Sequence, residues 1–152
     1  MANSDLSCVK TATIEWRDNA PFCREFDDFY YRSKQPFSEH GLKETDYLFI
    51  QQNNLPLRWQ NLDSLPSQNK TFSIGETGFG TGLNFLAAWD AWRKSSQNCR
   101  LIFFTCELYP LELELHRKAL EPYDELAGLA QILLERLPKA KQGFHLVDFE
   151  EG

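Results

Sequence analysis

The sequence has no run of about 18 apolar residues, so no membrane-spanning helix is expected. Its opening, Met1-Ala2-Asn3-Ser4-Asp5, is without the basic-then-apolar order of a signal peptide, and a cytoplasmic location is expected. Cysteine and histidine are sparse and scattered: Cys8, Cys23, Cys99 and Cys106 form no C-x-x-C pair, and His40, His116 and His145 stand far apart. That spacing argues against a zinc site or a disulfide framework, and no metal is expected. Positive charge is short as well, with 16 Lys and Arg against 22 Asp and Glu, a net charge of -6. Gripping a phosphate backbone by bulk attraction needs clustered basic residues, so an RNA substrate would have to be held by other means. Internal repeats and low-complexity tracts are also missing.

What is present reads as one folded domain: 152 residues, 42% hydrophobic, 14% aromatic and 25% charged. Residues 1–10 read as a frayed leader, and 13–16 alternate like a half-buried strand. Residues 21–31 mix acids and aromatics without a clean period, as in a loop with a short helix. A surface loop is expected over 33–41. Residues 47–50 and 55–59, joined by Asn53 and Asn54, read as a hairpin with Pro56 on an edge strand. The Asn, Ser and Pro-rich stretch 60–70 reads as a linker. Residues 1–70 are thus expected to be a β-rich extension and linker, and residues 71–152 an α/β unit.

That unit opens with a strand at 71–76, a glycine turn, and a helix at 83–93 with apolar residues at 85, 86, 89 and 92. The apolar run 100–107 suggests a strand buried on both faces of a parallel sheet, which completes a βαβ unit. Helices over 111–120 and 123–137 follow, the second stopped by Pro138. A last strand is expected at 143–149, running into a turn at 150–152.

The turn, Glu76-Thr77-Gly78-Phe79-Gly80-Thr81-Gly82, is the most informative segment. Alternating glycines allow a tight bend and close approach of a ligand to the backbone, and the helix that follows offers unpaired N–H groups. Leu83 stands where a dinucleotide fingerprint places its third glycine, and no P-loop lysine follows, which weakens both of those readings. S-adenosylmethionine fits the flanking acids better. Glu76, at the strand tip, suits the cofactor's cationic amine; Glu107, at the end of the next strand, suits two ribose hydroxyls; Leu108 and Tyr109 offer adenine an apolar face. The plainer alternatives are a tight structural connection at the glycines and a helix-capping Glu107 before Pro110. Asn84, early in the helix, can touch the cofactor or satisfy local backbone groups. Asp27 and Asp28 by themselves read as a solvated loop or a cap rather than an acid–base pair.

The strings ETGFGTGLNFLAAW, REFDDFYY, GLKETDYLFIQQNNLPLRW and FFTCELYPL resemble successive blocks of the methyltransferase domain of the MnmC family, from about Ala12 onward. GFGTGLNFL is the most specific of them. The resemblance implies a partial class I, Rossmann-like S-adenosylmethionine-dependent methyltransferase fold with an N-terminal antiparallel β element. It implies methyl transfer to the amine of 5-aminomethyl-2-thiouridine at the tRNA wobble position. It also implies that Glu76, Gly78, Gly80, Gly82 and Glu107 form the cofactor-binding turn and ribose acid, with Asp28 and Tyr30 on a loop that closes over the pocket; Phe79, Asn84 and Leu108 complete the expected cofactor site. In the bifunctional form an FAD-dependent oxidoreductase domain follows, and none of it is in this sequence. The family's Asp-Gly-Phe-containing segment near the acceptor site, and with it the later strands and the proposed catalytic aspartate, are expected after Gly152, so no residue here is given a catalytic role. An isolated chain is therefore expected to be inactive on tRNA, and its open sheet edge favours self-association. Two other readings remain open: a cofactor-binding or interaction module without catalysis, and a small-molecule methyltransferase.

Overall fold

The computed structural model describes residues 9–31, 37–64, 71–95 and 99–149. The chain begins with an antiparallel sheet in the order β1 (Ile14–Arg17), β2 (Ala20–Cys23), β3 (Asp28–Phe29). Arg17 pairs with Ala20, leaving Asp18 and Asn19 as a two-residue loop with φ of 51° and 64°. Two consecutive left-handed residues are what a tight hairpin with the natural strand twist demands, and Asp and Asn tolerate that region. This hairpin replaces the loop and short helix expected over 21–31. Its second strand is buried throughout, and Phe22 meets Phe29 edge-on at 5.1 Å.

The hairpin expected at 47–59 is helical instead. Helix α1 (Phe37–Thr45) takes up the latter part of the expected 33–41 loop and runs into a π-helical turn, Asp46–Gln51, where the Gln52 N–H donates to the Tyr47 carbonyl at 3.0 Å. Helix α2 (Leu55–Gln60) then starts after Asn54, which is left-handed at φ 51°. Pro56 sits in the first turn of α2, where its missing N–H has no carbonyl to serve, so the proline that argued for an edge strand opens a helix. Of the linker expected at 60–70, Gln60 closes α2 and Asn61–Ser64 form a 3-10 turn. Residues 65–70, like most of the leader and the turn at 150–152, lie outside the described residues.

The α/β unit follows the expected order: β4 (Thr71–Thr77), α3 (Leu83–Lys94), β5 (Arg100–Cys106), α4 (Leu113–Leu120) and α5 (Ala127–Arg136), with a 3-10 turn Asp124–Leu126 before α5. Strands β4 and β5 are parallel, in register from Thr71↔Arg100 to Thr77↔Cys106. Phe72 and Ile74 with Leu101 and Phe103 form the face packed on α3, where Phe103 meets Phe85 edge-on at 5.1 Å. Strand β5 is not buried on both faces as its composition suggested. On the face of Ile102, Phe104 and Cys106, Ile102 is half-buried while Cys106 and Phe104 are exposed, Phe104 at 61%. Nor do residues 143–149 form a strand, because no described strand lies beside them to complete the hydrogen bonds; Phe149 instead packs on Trp89 at 4.8 Å.

The result is an α/β fold in which a small antiparallel sheet and a parallel pair share their helices, a partial Rossmann-like arrangement. One core gathers Leu83, Leu86 and Trp89 of α3 with Leu129 and Leu133 of α5 and with Ala20 and Tyr31 from the N-terminal segment. A second stacks Trp59, Phe72 and Trp92, with Trp59 and Trp92 at 5.2 Å and nearly perpendicular. No described helix is long and apolar enough to cross a membrane.

These environments predict opposite costs for two aromatic truncations. Trp92→Ala empties the middle of the second core and is expected to lower unfolding free energy by about 3–5 kcal/mol in urea titrations. Phe104→Ala removes an exposed ring and should stay within about 0.5 kcal/mol of the parent. Equal losses would show that the open face of β5 is covered in solution.

Candidate cofactor site

The glycine turn is pinned from below by β5. The N–H groups of Gly78 and Phe79 both donate to the Cys106 carbonyl, at 2.8 and 3.2 Å, so the chain leaves β4 directly over the tip of its neighbour. Gly78, Gly80 and Gly82 then take φ of +84°, +56° and +87°, a region that side-chain-bearing residues rarely adopt. The surroundings differ at each. A Cβ on Gly78 would meet nothing within 4 Å; one on Gly80 would come within 3.0 Å of the Tyr30 ring; one on Gly82 would come within 2.9 Å of the Phe79 ring. Gly78 therefore keeps its outer side open, while Gly80 and Gly82 make room for aromatic rings.

Two carboxylates flank this turn, each held by hydrogen bonds on both oxygens. Glu76 Oε1 accepts from Asn84 Nδ2 at 3.0 Å, and Oε2 accepts from the Thr105 hydroxyl at 2.9 Å. The second bond follows from the register that places Glu76 opposite Thr105. Glu107 Oε2 accepts from the Gly80 N–H at 2.8 Å, and Oε1 from the Tyr109 N–H at 3.0 Å. A carboxylate oxygen has two lone pairs, so each acid is locked in place with acceptor capacity left on both oxygens. Burial pushes the Glu76 carboxyl above its usual range; its bonds to Asn84 and Thr105 partly offset this, and the nearby Glu107 adds to it. A cationic partner would relieve that penalty.

The other expected site residues fall into separate groups. Leu108, 65% exposed, extends past the end of β5 next to Glu107. Tyr30 is partly buried and lays its ring against Gly80. Asp28 is exposed on β3, where its Oδ1 accepts the N–H of Phe29. Phe79 turns inward, its ring 5.9 Å from His116 and 6.4 Å from Phe85, and supports the turn from beneath.

Sequence reading missed the groups that brace the turn. Thr81 is fully buried; its hydroxyl is 2.9 Å from that of Tyr31, and its carbonyl is 3.0 Å from His116 Nδ1. Burial holds the His116 imidazole below its usual value, with the Thr81 carbonyl and Glu107 acting the other way. Thr45 reaches Asn84 from α1, 3.1 Å from Oδ1. Only Thr105, two residues before Glu107 and level with Glu76, could have been found from strand register.

A parallel βαβ unit with a glycine turn between its strands places the chain in the Rossmann-like α/β class. No model of a known protein family matches it. Its relatives are specific, however. It is 38% identical over 151 residues, 99% of its length, to the tRNA 5-methylaminomethyl-2-thiouridine biosynthesis bifunctional protein MnmC of Legionella pneumophila (strain Corby). It is 42% identical over 146 residues to the protein of that name from Aeromonas hydrophila and 38% identical over 152 residues to the one from Aliivibrio fischeri. The chain spans 20–22% of the length of these three relatives. Across nearly all its residues it is homologous to a segment of MnmC.

The buried His116 predicts a pH dependence. Its folded value lies below the unfolded one of about 6.5, so the unfolded chain takes up the proton first, and stability present above that pH is lost as pH falls toward the folded value. Glu76, raised on folding, acts with the opposite sign as pH falls toward the unfolded carboxyl value. The difference between parent and His116→Asn isolates the histidine. Thermal unfolding should show the parent losing more stability than the variant between pH 7.5 and 5.5, and parallel curves would contradict this.

Proposed function

We propose that the turn and its two acids bind S-adenosylmethionine, and that the chain provides the cofactor-binding part of a tRNA methyltransferase acting on the aminomethyl group of 5-aminomethyl-2-thiouridine. The observation that carries this reading is the pair of restrained carboxylates, each with acceptor capacity to spare, on either side of a glycine turn that is open at Gly78. The donor set fits the cofactor's two polar ends. Glu76 would take the amine of the amino-acid end, Glu107 the ribose hydroxyls, and Leu108 would lie against adenine. When bound, S-adenosylmethionine supplies an electrophilic methyl group carried on a sulfonium.

The chain's own residues contribute restraint. Asn84 and Thr105 hold Glu76, the backbone of Gly80 and Tyr109 holds Glu107, and Tyr30 covers the turn beside Gly80. Fixing a bound group in this way lowers a barrier by orientation and by exclusion of water, effects worth several kcal/mol. No residue described here is assigned the catalytic step, and none is assigned to FAD. The wobble-uridine substrate is supported by the names of relatives about five times as long. With a net charge of -6, tRNA binding and turnover are proposed to depend on parts of those proteins outside the matched segment. A cytoplasmic setting follows from a tRNA substrate. The exposed rings of Phe104 and Phe49 make self-association of the chain part of the same proposal.

Calorimetry with S-adenosylhomocysteine tests the site. Gly80→Val sets a branched side chain against Tyr30 at φ +56° and is expected to abolish binding. Glu107→Gln, which weakens charge-assisted bonds, should cost about 10-fold to 100-fold in affinity. Unchanged affinity in both would show that the site is elsewhere. Radiolabelled methyl transfer to tRNA carrying the aminomethyl group, with a full-length relative as control, tests the substrate. The chain alone should show none, and comparable turnover would refute that part.

A further inference from the structure

The N-terminal segment reaches the acids of the turn through a chain of side-chain hydrogen bonds. Thr45, the last residue of α1, has 0% exposure and lies at the junction with the π-helical turn. Its hydroxyl donates to Asn84 Oδ1 at 3.1 Å; Asn84 Nδ2 donates to Glu76 Oε1 at 3.0 Å; and Thr105 holds Glu76 Oε2 at 2.9 Å. An amide has two unlike ends. Turned over, Asn84 would put its oxygen against an oxygen of Glu76, and without the Thr45 hydroxyl its Oδ1 would lose this donor in a part-buried position, which is costly. Donation into Oδ1 also polarises the amide and strengthens the bond that Nδ2 makes at the other end.

We propose that Thr45 is a positioning residue: by donating to Asn84 it fixes the amide with Nδ2 toward Glu76, and so sets which lone pairs of that carboxylate remain for a cationic ligand. The ligand clause rests on the S-adenosylmethionine reading; the relay itself does not. Glu107 is the titratable group whose charge acts on Glu76, and the Tyr31 phenol, itself held neutral by burial, feels the charge of Glu76; neither belongs to the Thr45–Asn84–Glu76 chain of bonds. The hydroxyl therefore acts on Glu76 through Asn84.

The test compares the parent chain with Thr45→Val, which keeps the shape and removes the donor, and Thr45→Ser, which restores the donor. Carboxyl-carbon NMR should show Glu76 titrating at higher pH in the Val variant and near the parent value in the Ser variant. S-adenosylhomocysteine, which carries the amine, should bind the Val variant about 3-fold to 10-fold more weakly at pH 7, a loss typical of one hydrogen bond. 5′-Methylthioadenosine, which keeps the nucleoside and has no amino-acid end, should bind parent and Val variant alike. An unmoved Glu76 titration, a Ser variant that behaves like Val, or equal losses for the two ligands would overturn the proposal. If the parent binds neither ligand, the cofactor reading fails while the Glu76 titration still decides the relay. If Thr45→Val does not fold, the parent answers through a slowly exchanging Thr45 hydroxyl proton whose shift follows the Glu76 titration. Fast exchange or insensitivity to that titration would refute the relay.

Discussion

The paired donation of Gly78 and Phe79 to the Cys106 carbonyl is the constraint on which the site depends. It ties the departure of the chain from β4 to the end of β5, and the parallel register then sets Glu76 beside Thr105 and brings Glu107 under the Gly80 N–H. Burial makes Glu76 costly to ionise, and the neighbouring Glu107 adds to that cost. The fold offsets that cost with four donors, one for each carboxylate oxygen. Under the proposed function, the ligand would bring a positive charge to Glu76 and hydroxyl donors to Glu107.

The supports come from distant parts of the sequence. Thr105 is on β5, Asn84 opens α3, Thr45 ends α1, and Tyr30 and Tyr31 follow β3. The core repeats the pattern, since Ala20 and Tyr31 pack with the helices of the α/β unit. The antiparallel sheet and the π-helical turn are thus joined structurally to the glycine turn, and changes in the N-terminal segment should be felt at the acids.

What could be read in advance was local. A strand followed by alternating glycines, a helix of clear period and an acid after the next apolar run placed β4, α3 and β5 correctly, because each signal lies within a few residues of the structure it specifies. The N-terminal segment misled for the same reason. Pro56 and the paired asparagines carry the composition of a hairpin, yet a proline in a first helical turn is equally favourable, and packing of Leu55 and Trp59 into the second core selects the helix. The true hairpin rests on Asp18 and Asn19, a turn signal beside a strand, Ala20–Cys23, that holds a proline. Burial of β5 was over-read, since apolar composition says what a strand can bury and not what lies against it. Thr45, Thr81 and His116 were out of reach because their roles arise from contacts 35 to 50 residues apart in sequence.

The loop over β5 is proposed as a binding surface for a nucleoside that carries an amino acid through a 5′ sulfur, and not merely as a tight connection. Amide-resolved NMR titration of the chain tests it most directly, with S-adenosylhomocysteine in one series and NAD in another. Saturable shifts confined to the amides of Gly78, Gly80, Gly82, Leu108 and their neighbours, seen with S-adenosylhomocysteine and absent with NAD, are the predicted result. No saturable shift with S-adenosylhomocysteine, or saturable shifts at a different surface, would contradict it.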